Sequence, residues 1–277
     1  MKTLRIIALL LLASISSANA QSVANSNSTN VLYSGLDEPS ALFVTQQALY
    51  IIEQGKSRVL QLDRAGQVLQ TFGNKGSSDY QFNSPFDIDA TNGLKIFVSD
   101  LRNNRIQVFD KHWQLLSSIK NFTAFRDMSR IEPTWLGVNE VGELFFYDKR
   151  SKKLIKLNES GSFLDEIPIP LEVKDISGLQ LRDNKIFILD KKVDVIHQLS
   201  ENGFYESFYP AEGAQTFWKS KNGMWISVGN TLYKSGMEKK DAIDVKAVKS
   251  IKDFVATEEL LFVLSEDKLI SITIPKE

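Results

Sequence analysis

The sequence predicts an all-β fold assembled from copies of one short-stranded unit, and three observations carry that reading. Short apolar runs rich in β-branched and aromatic residues alternate with polar turns, and no helical periodicity appears beyond the first twenty residues. An acid closes the same strand in four copies, at Glu53, Asp100, Asp148 and Asp190. A second column, Asp63, Asp110, Asn158 and Ser200, follows ten residues behind each of them. The acids recur at roughly the forty-residue spacing of one four-stranded propeller blade, so the expected architecture is a six-bladed β-propeller of antiparallel blades.

The elements follow in chain order. Residues 1–20 read as a secretory signal peptide: Lys2 and Arg5 precede the apolar run Ile6 to Ala13, and Ala18-Asn19-Ala20 offers a small-residue cleavage site. Residues 21–29 are polar and low in complexity, a flexible leader. Residues 30–277 show no compositional break and are expected to form a single domain. Within it, the strand–turn–strand units are ALYIIEQGKSRVLQLD (Ala48 to Asp63), KIFVSDLRNNRIQVFD (Lys95 to Asp110), ELFFYDKRSKKLIKLN (Glu143 to Asn158) and KIFILDKKVDVIHQLS (Lys185 to Ser200). Two weaker copies run from Gly223 to Gly236 and from Leu260 to Ile274. An inner strand precedes each unit, starting at Ala41, Phe86, Thr134, Ser177, Thr216 and Lys252. A fourth strand follows reversals such as Asp63-Arg64-Ala65-Gly66 and Asn158-Glu159-Ser160-Gly161, whose residue types suit tight turns. Asn30 to Ser34 stands alone before the first blade and is expected to close the ring as the outer strand of the last, which covers an otherwise unpaired edge.

The stretch FNSPFDIDATNGLKIFVSDLRNNRIQVFD, Phe82 to Asp110, resembles an NHL repeat. A Pro precedes the inner strand, an acid ends the second strand, and an Asn-Arg turn leads into Ile-x-Val-Phe. Blade one shares the pattern through Pro39, Glu53, Arg58 and Asp63, and blade three through Pro133, Asp148, Lys153 and Asn158. Blade four keeps Asp190 but has Val195 where the family has Arg. The resemblance implies a propeller that serves as a binding platform; some related six-bladed propellers are metal-dependent lyases, lactonases or other hydrolases.

Composition and motifs narrow the chemistry. The chain has a formal net charge of −1 and no cysteine, so general nucleic-acid binding, disulfides and thiolate catalysis are not expected. No second apolar stretch is long enough to span a bilayer, and a monomeric periplasmic or secreted protein is expected. With only His112 and His197, zinc or copper catalysis and a Ser-His-acid triad lack support; there is no G-x-S-x-G elbow and no phosphate-binding glycine loop. Calcium accepts oxygen ligands alone, and the inner-strand acids Asp87 and Asp89 are the candidates for it in a lactonase-like alternative; the main reading takes no cofactor.

The positive signal is basic. Turns between second and third strands gather on one face of a propeller, together with the connections between blades. Arg102, Asn103, Asn104, Arg150, Lys152 and Lys192 lie in those turns, and Arg126 and Arg130 lie in the long connection from Lys120 to Glu132. This face is expected to take an anionic glycan, a lipid head group or a protein partner. The bases at a fixed offset of five from the acids (Arg58, Arg105 and Lys153, behind Glu53, Asp100 and Asp148) are assigned to the blade itself, as is Asp190.

Overall fold

The polar turn sets the register of each hairpin. Where an acid ends one strand, the residue five positions on begins the next, and the two face each other: Glu53 opposite Arg58, Asp100 opposite Arg105, Asp148 opposite Lys153, Asp190 opposite Val195. Alternation along each strand then buries both faces of the middle strands between neighbouring blades. Ile52 and Val59 of blade one, for example, share a core with Val98 and Phe109 of blade two.

The computed structural model describes residues 28–91, 93–120, 130–235 and 242–274. In these residues the hairpins extend into six antiparallel four-stranded sheets. The inner strands are Pro39–Val44, Pro85–Asp89, Pro133–Val138, Gly178–Arg182, Thr216–Ser220 and Ile251–Ala256. Each contacts the next, and the last returns to the first. Thr29–Ser34 pairs with Lys268–Thr273 and completes blade six from the opposite end of the chain, the closure the sequence predicts. Blade five departs most from the pattern, with a fourth strand of only Ile243–Asp244. The signal peptide, nearly all of the leader, and Arg126 with Phe122 and Phe125 lie outside the described residues. No helix among the described residues is long and apolar enough to cross a membrane.

The second polar column makes the outer turns. Asp63 Oδ1 accepts the amides of Ala65 and Gln67 at 2.9 and 2.8 Å, Asp110 Oδ1 those of His112 and Gln114 at 2.8 Å each, and Asn158 Oδ1 those of Ser160 and Ser162 at 3.0 and 2.8 Å. Each turn needs one residue with positive φ, and three blades place Gly66, Gly161 or Gly203 there. Blade two places Trp113, at φ 63°. Its indole is buried, stacks on Phe72 at 4.4 Å between centroids, and donates to Gln61 Oε1 at 2.9 Å, so packing across to blade one offsets the backbone strain.

Candidate functional site

The acid column has one shared task. Glu53 Oε1 accepts the amide of Asp37 at 2.8 Å, Asp100 Oδ1 that of Asn83 at 2.7 Å, Asp148 Oδ1 that of Glu132 at 2.7 Å, and Asp190 Oδ2 that of Lys174 at 2.5 Å. In every case the carboxylate ties the chain arriving from the previous blade to the end of the second strand. The bases differ. Arg58 pairs with Glu53 and Arg105 with Asp100, the latter at 3.0 Å with both side chains at most 1% exposed. Lys153 turns away from Asp148 to Glu166, at 2.7 Å. In blade four His197, two residues beyond Val195 along the same strand, places Nε2 3.4 Å from Asp190. Burial works to raise the Asp190 carboxyl, but the amides of Lys174, Asp175 and Lys192 with His197 hold it below the ordinary range.

Arg105 also orders the connection before its own blade. Its guanidinium donates to the carbonyls of Ser77, Ser78 and Gln81 at 3.1, 2.9 and 2.7 Å. Asn103 joins it, donating to Gly76 O at 2.8 Å and to Asp100 Oδ2 at 2.7 Å, so its amide is turned into the fold. Asn104 stands at φ 55°, closes the short turn Leu101–Asn103, and donates to Arg102 O at 3.1 Å.

Beside this turn lies a cleft of about 480 Å³ between blades two and three, lined by Asn83, Leu101, Arg102, Asn104, Arg130, Glu132 and Lys149. Arg102, Arg130 and Lys149 come from three separate segments, and Glu132 is the single acid among them. The structure thus brings Arg102, Asn104 and Arg130 together and adds Lys149. Arg150, Lys152 and Lys192 are exposed on turns of blades three and four and do not line this cleft.

The second concavity is the central channel, about 200 Å³ and lined by all six inner strands. The sheet registers align Ala41, Asp87, Trp135, Gly178, Thr216 and Asp253 at one level around it. The next level along the strands holds Phe43, Asp89, Gly137, Gln180, Trp218 and Val255. Asp87 Oδ2 accepts the Leu136 amide of the next blade at 3.0 Å, and Asp253 Oδ2 makes the equivalent bond to Leu42 at 2.8 Å. Asp89 does the same one level down, taking the Val138 amide at 3.2 Å. Their remaining oxygens accept local amides, from Ile88, Phe254 and Thr91. Gln180 links blade four to blade five through Lys219 N at 3.0 Å and Phe217 O at 2.7 Å.

These acids are braces, and their setting makes them unusual. Burial raises the Asp87 carboxyl to about 7 against the pull of the Leu136 and Ile88 amides, and the charges of Asp253 and Asp89 add to the rise. Burial likewise lifts Asp253 to about 7, with Leu42, Phe254 and Thr216 opposing. Both side chains remain half-buried because they face the channel. Asp253 has no counterpart in the sequence-derived pair Asp87 and Asp89. Aligning Lys252-Asp253-Phe254 on Phe86-Asp87-Ile88 would have found it, since each acid is the second residue of that inner-strand motif.

Calcium takes 6–8 oxygen ligands. Asp87 and Asp253 supply carboxylates at one level, Asp89 commits one oxygen to Thr91 of its own blade and the other to Val138 of blade three, and no group of three or more His, Cys, Asp or Glu able to hold a metal occurs among the described residues. The channel does not fit that ion.

No family model and no curated protein matches the sequence. Solved structures do match in fold. Virginiamycin B lyase from Staphylococcus aureus superposes with a TM-score of 0.65 at 11% identity, over 90% of this chain and 100% of that one. A gluconolactonase from Xanthomonas campestris gives 0.60 at 16% identity, over 91% of each chain. A luciferin-regenerating enzyme gives 0.63 at 9% identity, over 89% and 95%. At these identities the likeness is one of fold, a propeller that elsewhere carries several different reactions.

Proposed function

We propose that this chain is an exported, non-enzymatic binding propeller of NHL-like type that takes an anionic partner in the cleft between blades two and three. The observation that carries the reading is the convergence of Arg102, Arg130 and Lys149 on one cleft with Glu132 as the only acid. None of the three cationic head groups is engaged by an ion pair among the described residues, whereas the repeat bases Arg58, Arg105 and Lys153 all are. A locally positive cleft on a nearly neutral protein attracts anions at low ionic strength and loses them as salt screens the field. The leader-like N-terminus supports export to the periplasm or beyond, where an acidic glycan is the fitting polyanion. The reading invokes no cofactor.

The test compares two triple variants. Arg102→Ala, Arg130→Ala and Lys149→Ala together are expected to weaken binding of a sulfated oligosaccharide about ten-fold or more at low salt, with Tm shifted by only a degree or two. Arg150→Ala, Lys152→Ala and Lys192→Ala together are expected to leave most of the affinity. Equal losses in the two triples would overturn the cleft as the site. The hydrolase alternative rests on likeness in fold to a lyase, a gluconolactonase and a luciferin-regenerating enzyme, and turnover of a lactone by the purified protein would favour it.

A further inference from the structure

Arg182 is the residue that neither the blade architecture nor the cleft explains. It ends the inner strand of blade four, and its side chain crosses the ring: Cζ stands 4.2 Å from the Trp218 ring centroid in blade five and 5.8 Å from that of Phe43 in blade one. Blades one and four lie opposite each other in a ring of six, so the guanidinium spans the channel. Burial pulls it below its usual range, with the Asp89 and Asp183 charges opposing, yet no hydrogen bond or ion pair of the guanidinium itself occurs among the described residues. Asp89, the nearest acid in the channel, already gives both oxygens to the amides of Thr91 and Val138. A guanidinium has five donors in a fixed fork, and a desolvated one with none of them engaged favours a carboxylate or phosphate.

At the other level the arrangement has the opposite sign. Asp253, Ala41 and Asp87 follow one another around the ring in blades six, one and two. The methyl group of Ala41 leaves room between the two carboxyls; burial raises both, the Asp253 charge adds to the rise of Asp87, and a cation placed between them would relieve both. Each carboxylate oxygen holds one amide and keeps a lone pair. Two carboxylates are too few for calcium but suffice for the three N–H donors of an ammonium. Phe86 and Trp135, 5.4 Å apart edge to face, stand beside them as aromatic wall. Exposed Lys252 lines the same cavity, which therefore reaches solvent.

We propose that the channel binds a small zwitterion, a short-chain amino acid, with its ammonium between Asp87 and Asp253 over Ala41 and its carboxylate on Arg182. Arg182 starts two residues beyond the second level, but its guanidinium packs on Trp218 and Phe43, which stand on that level, two residues or about 7 Å along the strands from Ala41. An ammonium and a carboxylate separated by two to four bonds, with a hydrogen bond of about 2.8 Å at each end, cover that distance. A cavity of about 200 Å³ suits a ligand of this size and is below the range for larger ones.

Calorimetry, with the fluorescence of Trp135 and Trp218 as second readout, tests this on the full folded domain. The probes are glycine, L-alanine, β-alanine and 4-aminobutyrate, set against ethylamine and propionate, which each carry one half of the L-alanine recognition. At least one of the four amino acids is expected to bind with a Kd below about 1 mM, and each half-molecule about ten-fold or more weakly. Arg182→Gln and the Asp87→Asn/Asp253→Asn pair are each expected to reduce the affinity about ten-fold or more. If Arg182→Gln does not fold, Arg182→Lys keeps the charge but not the fork, and a several-fold loss is expected. No binding by any of the four, equal binding of a half-molecule, or unchanged affinity in a folded Arg182 variant overturns the proposal. The half-molecule comparison requires no variant, and the site shares no residue with the basic cleft, so the two proposals fail separately.

Discussion

Glu53, Asp100, Asp148 and Asp190 stand at the ends of second strands, whereas Asp87, Asp89 and Asp253 stand on the inner ones, and both sets use their oxygens to hold backbone amides. The outer set works within a blade, fastening the incoming chain to its own sheet. The inner set works between blades, from six to one and from two to three. What separates them is the company of charge. In three blades the outer acids have a cationic or imidazole partner: Arg58, Arg105 or His197. Burial lifts Asp87 and Asp253, which have no such partner, to about 7, while Asp190 is held below the ordinary range; burial raises Asp100 as well, but there Asn83, Asn103 and Arg105 oppose it. The same hydrogen-bonding role therefore has a basic or imidazole neighbour in three blades at the rim and none at Asp87 and Asp253, which is where a cationic ligand group has most to offer.

The difference can be broken most severely at the rim. Arg105→Ala strands a buried carboxylate and removes the three carbonyl contacts that order the connection from Ser77 to Gln81. A loss of about 3–5 kcal/mol in urea unfolding is expected, larger than for removing both partners in Asp100→Asn/Arg105→Gln. Equal losses in the single and double variants would mean that the ion pair is not what binds the loop.

At the axis the expected effect is next in size and is read by pH. Asp87 and Asp253 lie at about 7 when folded, against about 3.9 for an unfolded aspartate. A carboxyl raised by folding binds its proton more tightly in the native state. Its ionisation therefore costs stability as pH rises through the window from about 4 to 7, and the loss levels off above it. Asp190, Glu143 and Glu206 are held below the ordinary range and lose their contribution only below that window. Stability is expected to fall by about 2–4 kcal/mol between pH 5 and pH 8, and the Asp87→Asn/Asp253→Asn double variant should flatten the profile. A flat profile in the unmodified protein would show that the channel acids are ionised throughout.

The smallest effect is expected at His197→Gln. Asp190 keeps the amides of Lys174, Asp175 and Lys192, so a cost of about 1 kcal/mol in thermal unfolding is expected. A cost near that of Arg105→Ala would make the imidazole a full substitute for the arginine of blade two.

Much of this was legible in the chain. The acid column announced itself because a turn of fixed length repeats at a fixed offset, and local backbone geometry admits few solutions to that constraint. The ring closure by Asn30 to Ser34 followed from an unpaired edge that needs covering. Val195 marked blade four as different, but not that His197 would reach Asp190 from two residues along, since only alternation on a paired strand puts both on one face. The basic turns were visible as residues and not as a surface: Arg102 and Arg130 meet at one cleft, while Arg150, Lys152 and Lys192 do not line it.

The sequence by itself determined the blade, its turns and its number of copies, because strand alternation and turn chemistry act over a few residues and leave their period in the text. Only the tertiary structure decided the channel. Asp87 and Asp253 are 166 positions apart in the chain, and Arg182 meets Trp218 and Phe43 only because closing the ring sets blade four opposite blade one. Proximity of that kind is a property of closure, and no local pattern of residues encodes it.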